Sequence, residues 1–367
     1  MIKWPKTPVT IATSGGIMYG WLNSSVDRSM EQIGGRFDIR VSFLADFKRP
    51  PIERQDKVVI AIGGVPVITG ICLGAEPFYA THEDYGIRVE GHSRTGDLML
   101  ASAIHKGGQW RNVKLEQIVK DLCKPFDIKV ICDIDTGKKI GRFKLNNGES
   151  VAEAISRACK YRAVLPTDDA AGNMVLTRVG EEKALAAIVA GPGGNVIEME
   201  GIGNDSERAQ EYIVQGQGEV NETGDPHRAR GLEYRAKDPG IKRYLPLIVN
   251  ADESSDTKHL QELADHTART RAAKSMRYKY TVEGWEANGK PWHPNTLVPV
   301  YDPVLGSLGQ EWLIVKTLAT VSRDNADVTE IEICPPAAFE QLPLPEAKQS
   351  GKGKSGSAWY VNHQGGG

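Results

Sequence analysis

The sequence predicts a β-rich α+β protein, in which two regions of short strands are separated by mixed α and β segments. Apolar and polar residues alternate along many short segments, and turn-forming residues punctuate those segments. Glycine and proline, at 39 and 20 of 367 residues, exceed average usage, so turns are frequent. Only three stretches carry a helical stripe, so strands dominate.

The first β region covers residues 1 to about 100. Val9 to Ala12 and Ile17 to Trp21 flank Ser14-Gly15-Gly16, a hairpin candidate. Phe37, Ile39, Val41 and Phe43 alternate with Asp38, Arg40 and Ser42, which puts one set on each face of a strand. Val58 to Ile62 and Val65 to Leu73 flank Gly63-Gly64, a dipeptide suited to the positive φ angles of a tight hairpin. Tyr85, Ile87 and Val89 alternate again before Gly91. About six short strands suffice to close a small barrel.

Residues 101–180 read as a small α+β module. Leu115, Ile118, Val119 and Leu122 fall on one helical stripe that ends before Pro125. Ser150 and Glu153 form a capping box at the start of a second helix, whose inner face is Val151, Ala154, Ile155 and Ala158. Ala163 to Pro166 and Met174 to Val179 then form a hairpin around Asp168–Asn173. A third helix is expected from about Ser255 to Met276. Strands return at Tyr278–Trp285, Leu297–Tyr301, Trp312–Thr320 and Val328–Cys334. The Pro-, Gly- and Lys-rich segment 336–367 cannot bury enough surface to offset its ordering entropy and is expected to be a flexible tail.

The strands of the two β regions share a rhythm. Counting from Phe37 and from Tyr278, later strands begin near Val58, Val67 and Ile87 in one and near Leu297, Trp312 and Ile331 in the other. Two all-β stretches can share such spacing by chance, so duplication and coincidence both remain open at this point. If it is duplication, a trimer would present six barrels in a pseudo-sixfold ring.

Composition excludes several classes of function. Lys and Arg total 45 against 47 Asp and Glu, a net charge of −2, which argues against a dedicated nucleic-acid binder. No window reaches the roughly 18 apolar residues of a membrane span, and the first residues lack a signal-peptide core, so a soluble chain made in the cytosol is expected. Cys72, Cys123, Cys132, Cys159 and Cys334 form an odd set without a C-x-x-C pair and read as reduced thiols.

Residues with catalytic or ligating chemistry mostly have plainer explanations. Gly353-Lys354-Ser355 ends like a phosphate-binding loop but lacks the earlier glycine and strand, and Gly191–Gly194 precedes no helix. His259 and His266 lie two helical turns apart, roughly 10 Å, which is too far for one metal without other ligands. Asp133 and Asp135 could pair on one strand face, though turn chemistry at Gly137 explains them better. Asp324–Asp327 lacks the calcium-loop glycine and terminal glutamate and reads as a hairpin turn. No nucleophile elbow or zincin motif is present. Neither an enzyme activity, nor a cofactor, nor a metal is expected.

Tyr280–Trp285, with Val282, Glu283, Gly284 and Trp285, and Pro291–Asp302, with Pro294, Asn295, Val300 and Asp302, resemble the signature of Mu-type phage tail protein P. These are the baseplate hub proteins of contractile tails, the hub of phage Mu above all. Asn147–Ile155 leading into Leu165–Asp168, Gly172–Leu176, and Gly91-His92-Ser93 with Asp97-Leu98 extend the resemblance over about residues 5 to 335. It implies a homotrimeric, pseudo-sixfold ring of two barrels per chain, adapting a hexameric tail tube to a trimeric membrane-piercing spike. It also implies contacts with adjacent baseplate proteins and the tape-measure protein. DNA would pass through without specific binding, in a particle assembled in the host cytoplasm and residing in the virion. The resemblance places two similar antiparallel β-barrels at 1–100 and at 208–220 plus 276–335, with an inserted α+β module at 101–207 and a second insertion at 221–275. The rival readings are a hub of a related secretion or injection system and a tail-associated peptidoglycan hydrolase.

Overall fold

The computed structural model describes residues 9–18, 21–42, 52–79, 85–132, 134–180, 182–216, 233–251, 257–322 and 326–343. The first β region contains β1 (Val9–Thr13), β2 (Gly16–Met18), β3 (Trp21–Ser29), β4 (Arg36–Ser42), β5 (Lys57–Ile62), β6 (Val65–Tyr79) and β7 (Tyr85–Ser93). The β5–β6 hairpin turns through Gly63 and Gly64 at φ +57° and +79°, the left-handed pair that a two-residue loop requires. Val9, Ile11, Phe37, Ile39, Val58, Ile60, Ile87 and Val89 fill its core. The alternation seen in the sequence therefore selects the inner face.

The α+β module contains α1 (Asp97–Leu100), β8 (Gln109–Val113), α2 (Leu115–Cys123), β9 (Val130–Cys132), β10 (Ile140–Lys144), α3 (Val151–Lys160), β11 (Leu165–Asp168) and β12 (Met174–Thr177). The capping box forms as expected: Ser150 Oγ accepts from Glu153 N at 3.2 Å, and Glu153 Oε2 accepts from Ser150 N at 2.7 Å. The predicted faces of α2 and α3 bury against Trp110 and Phe143 in a separate core.

The second β region departs from its expected boundaries. Its strands are β13 (Glu182–Lys183), β14 (Ile188–Val189), β15 (Val196–Gly201), β19 (Tyr278–Glu283), β22 (Thr296–Asp302), β23 (Ser307–Ser322) and β24 (Val328–Cys334). Between them come β16 (Glu211–Gln215), β17 (Glu233–Lys237), β18 (Pro246–Asn250) and α4 (Thr257–Ser275), and a small hairpin, β20 (Glu286–Ala287) with β21 (Lys290–Pro291), follows β19. The segment expected within 208–220 instead forms β16, which pairs with β17 and β18 in a separate sheet. Its buried Val214 and Ala236 pack with Leu260 and Ala264 of α4 rather than in the second core. Residues 182–201, assigned to the α+β module, supply the edge strands instead.

The segment from 336 is likewise not loose throughout. Pro336–Ala338 form a 3-10 turn, Ala338 is buried, and Arg269 of α4 bonds Glu340 at 2.9 Å. One proline and two alanines cost little side-chain entropy to dock. Residues 344–367, with Gly353–Ser355, lie outside the described residues.

The shared rhythm reflects a repeated topology. The first region orders its strands β3-β4-β7-β6-β5, and the second orders them β15-β19-β24-β23-β22. The irregularities coincide as well. Register shifts fall at Trp21/Asn23 and Val196/Glu198, at Cys72/Gly74 and Ile314/Lys316, and at Ile60/Ala61 and Val300/Tyr301. Gln55 and Asn295 are both left-handed, at φ +73° and +64°, and donate their amides to the matching carbonyls of Cys72 and Ile314. Shared bulges are position-specific in a way that shared spacing is not. Antiparallel pairing of β3 with β23 joins the units, placing eight strands of this chain in one continuous band.

Candidate functional site

Strand alternation gives the band one apolar face over the two cores and one open face. On the open face stand Asp27, Asp38, Glu76, Glu90, Glu198, Glu200, Glu283, Glu330 and Glu332, against the cations Arg36, Arg40, Arg88, Lys279 and Lys316. Cross-strand neighbours pair their charges. Lys279 meets Glu200 at 3.0 Å and Lys316 meets Asp27 at 3.3 Å across the junction, while Arg88 is bonded to Asp38 and lies 3.4 Å from Glu90. Most cations are thus neutralised and the surplus is acidic, so the face offers phosphate no continuous cationic track.

Behind the junction, three modules meet around a buried charge. Arg28 of β3 and Asp168 of β11 are 9% and 7% exposed. The Arg28 guanidinium donates to the Asp168 carbonyl at 3.1 Å and lies 3.8 Å from its carboxylate. Thr95 Oγ1 donates to the same carboxylate at 2.9 Å, and Thr69 Oγ1 donates to the Ala170 carbonyl at 2.8 Å. Burial lowers the Arg28 pKa against the pull of Asp168.

From the second unit, His293 closes a cavity of about 210 Å³ lined by Thr167, Asp168, Asp169, Glu182 and Asn295. Burial, with the like charge of Arg28 added, pulls the His293 pKa from 6.5 down to about 3. The folded imidazole therefore stays neutral where the unfolded one gains a proton. Stability is expected to fall as pH drops from 6.5 towards 3, by up to about 1.4 kcal/mol per pH unit. Urea denaturation across that window should show a shallower acid slope for His293→Gln than for the native chain.

The signature residues are structural fittings of the second unit. Val282 and Val300 are fully buried in its core. Asp302, 2% exposed, accepts the Tyr280 hydroxyl at 2.7 Å and the Val304 amide at 2.8 Å, so one carboxylate ties a core tyrosine to the β22–β23 turn. Gly284, at φ +74°, donates its amide to Asp327 and accepts from Thr329 Oγ1, while exposed Glu283 donates its amide to Asn195. Pro294 is buried before left-handed Asn295, whose side chain bonds Gly180 and Arg178. Trp285 crosses over: it follows β19 but packs in the core of the first unit, at 4% exposure.

The other candidates take the plainer roles. Asp135 accepts from Gly137 at 2.9 Å as the turn expects, and Asp133 lies outside the described residues. His266 bonds the Glu340 carbonyl, Gly191–Gly194 close a turn, and Asp324 and Asn325 of the expected Asp324–Asp327 hairpin lie outside the described residues. All five cysteines are free and four are buried, which pushes Cys72 up to about 11 and Cys123 and Cys334 up to about 12. Among the described residues no group of three His, Cys, Asp or Glu is placed to hold a metal, and no helix is long and apolar enough to cross a membrane.

The sequence reading missed Arg28 and Asp168. It ended the strand at Trp21, although Ser24, Val26 and Arg28 keep the inward phase, because a charge at an inward position breaks the apolar pattern.

Two β units with shared bulges, joined edge to edge and carrying an inserted α+β module, define a tail-hub class of fold. Three family descriptions match in chain order: Mu phage baseplate assembly protein GpP-like, N-terminal, at residues 8–93; baseplate hub protein gp44-like, second domain, at 95–178; and Mu phage baseplate assembly protein GpP, fourth domain, at 256–342. Baseplate hub protein gp44 of Escherichia phage Mu is 30% identical over 353 residues, covering 94% of this chain and 92% of that one. The chain belongs to the Mu-type phage baseplate hub family.

Solved structures agree. The 43 kDa tail protein of prophage MuSo2 from Shewanella oneidensis is 30% identical, with a TM-score of 0.79 over 91% of this chain and all of that one. A tail protein from Neisseria meningitidis MC58 shares the fold at 18% identity and a TM-score of 0.76, over 92% of this chain and all of that one. The fold also extends to an E. coli type VI secretion system component, c3393, at 10% identity and a TM-score of 0.57, over 94% of this chain and 80% of that one.

Proposed function

We propose that this hub protein acts as a homotrimeric ring, six repeated β units around, that adapts a hexameric tail tube to a trimeric spike in the virion baseplate and leaves a passage for DNA. The repeated unit carries the proposal, because two equivalent units per chain let three copies match sixfold symmetry on one side and threefold on the other. The acidic open face supports a non-gripping passage, since a conduit must not hold phosphate. A structural, non-enzymatic role accords with the hub names of its relatives. Adjacent baseplate proteins and the tape-measure protein are proposed as further contacts.

Light scattering should give three times 40.1 kDa, and the purified chain should retain both tube and spike proteins in a pull-down. A chain that stays monomeric with both partners present overturns the ring. The likeness to the secretion-system component favours a second reading, a hub of a related injection machine, which retention of that machine's tube instead would support.

A further inference from the structure

The α+β module differs in charge from the rest of the chain. Residues 101–180 hold 14 Lys and Arg against 9 Asp and Glu, a net charge of +5, whereas the remaining 287 residues hold 31 against 38, a net charge of −7. The excess gathers around one small element, the two-stranded ribbon of β8 and β10. Trp110 and Phe143 stand opposite one another in that ribbon and are buried in the module core. The rungs on either side, Arg111 with Arg142 and Gln109 with Lys144, therefore point away from the core, and all three cations are exposed. Asn112 is left-handed at φ +54°, and the chain keeps Arg111 and Asn112 both outside before Val113 returns to the core.

At the Val113–Ile140 end of the ribbon lie Lys114, Lys138 and Lys139, also exposed. The turn that carries the two adjacent lysines is fixed from both sides. Asp135 Oδ1 accepts the Gly137 amide at 2.9 Å, and the Arg162 guanidinium donates to the Lys138 and Lys139 carbonyls at 3.0 and 3.1 Å. None of these six cations forms an ion pair with a described residue, whereas Arg157 holds Glu149 at 2.7 Å and Arg94 lies 3.5 Å from Asp127. Two guanidinium groups directly opposite on one rung repel each other. A single charge is enough to keep an edge strand from pairing wrongly, so six of one sign exceed that need.

We propose that the β8–β10 ribbon is a docking surface for an acidic protein surface, a partner that sets clustered Asp and Glu carboxylates against Arg111, Arg142 and the flanking lysines. Planar guanidinium groups bind carboxylates through paired hydrogen bonds, and the fixed ribbon and turn hold the cations in place before the partner arrives. Nucleic acid fits less well. Trp110 and Phe143 face inward and leave no aromatic platform for bases, and the net charge of −7 on the rest of the chain repels a phosphate polymer. The outward rungs carry no apolar side chain to enter a membrane. This assignment does not depend on the ring.

Labelled poly-L-glutamate serves as the probe, and the full-length chain should bind it saturably by fluorescence anisotropy. Arg111→Gln with Arg142→Gln should weaken that binding at least about tenfold, and Lys138→Gln with Lys139→Gln should do so to a similar degree. Arg54→Gln, which removes an exposed cation of the first unit, should leave it unchanged. Relieving the Arg111–Arg142 repulsion should hold or raise the urea midpoint; a midpoint that falls shows that the rung serves the fold and overturns the proposal. Binding that neither double variant weakens overturns it too, as does tighter binding of duplex DNA at equal charge concentration, which would make the ribbon a phosphate binder. If light scattering shows the Arg111→Gln, Arg142→Gln chain losing self-association, the acidic surface belongs to a second copy and the separate partner falls. A trimer that binds no poly-L-glutamate overturns the docking surface and leaves the ring reading intact.

Discussion

Asp168→Ala is expected to destabilise the protein by about 3–5 kcal/mol, the range for removing one partner of a buried ion pair. The substitution leaves the Arg28 guanidinium 9% exposed, with one carbonyl at 3.1 Å and no adjacent carboxylate at that position. It also strips the Thr95 hydroxyl of its acceptor. Urea denaturation should show the loss, and amide exchange should rise first in the Asp168–Asn173 turn, which docks the α+β module on the first unit. Replacing both charges, Arg28→Met with Asp168→Leu, should recover most of the stability, because apolar pairs of similar volume commonly equal or exceed a buried ion pair. A single-variant loss below about 1 kcal/mol would mean that solvent reaches the pair.

Trp285→Ala is expected to cost about 3–5 kcal/mol, the range for truncating a buried aromatic side chain. Its unusual consequence concerns location. Trp285 belongs by sequence to the second unit and by packing to the core of the first, the cluster that also contains Val9, Ile60 and Val89. The first unit should therefore lose protection although the altered residue lies about two hundred positions away in the chain. Hydrogen exchange resolves this: faster exchange in β1, β5 and β7 supports the cross-packing, and faster exchange confined to β19–β22 refutes it. Trp285→Phe should retain a substantial part of the stability by filling most of the site.

Local signals in the sequence translated well into local structure. The Gly63-Gly64 hairpin, the capping box at Ser150 and Glu153, the stop of α2 before Pro125, and β24 at Val328–Cys334 each depend on residues within a few positions of one another. Edge strands were poorly legible. β15 has an open edge and lacks the apolar alternation of a half-buried strand, and β13 and β14 are two residues long, so none carries the pattern that marks a core strand. Conversely, Val214 in β16 looks like core of the second unit but is covered by Leu260 and Ala264 of α4. A burial pattern says that a face is covered without saying by what.

By itself the sequence determined the fold class, the rhythm of the two β units and, through the short motifs around Trp285 and Asn295, the hub family. All of these are written in residue types and spacings along the chain. Only the tertiary structure decided that the units share their bulges, that β3 and β23 merge them into one band, that Arg28 finds Asp168 and that Arg111 stands opposite Arg142. The Arg28–Asp168 pair lies 140 positions apart and the β3–β23 rungs nearly 300. Chain-closure entropy is indifferent to which distant partner is chosen, so packing and pairing geometry make the choice.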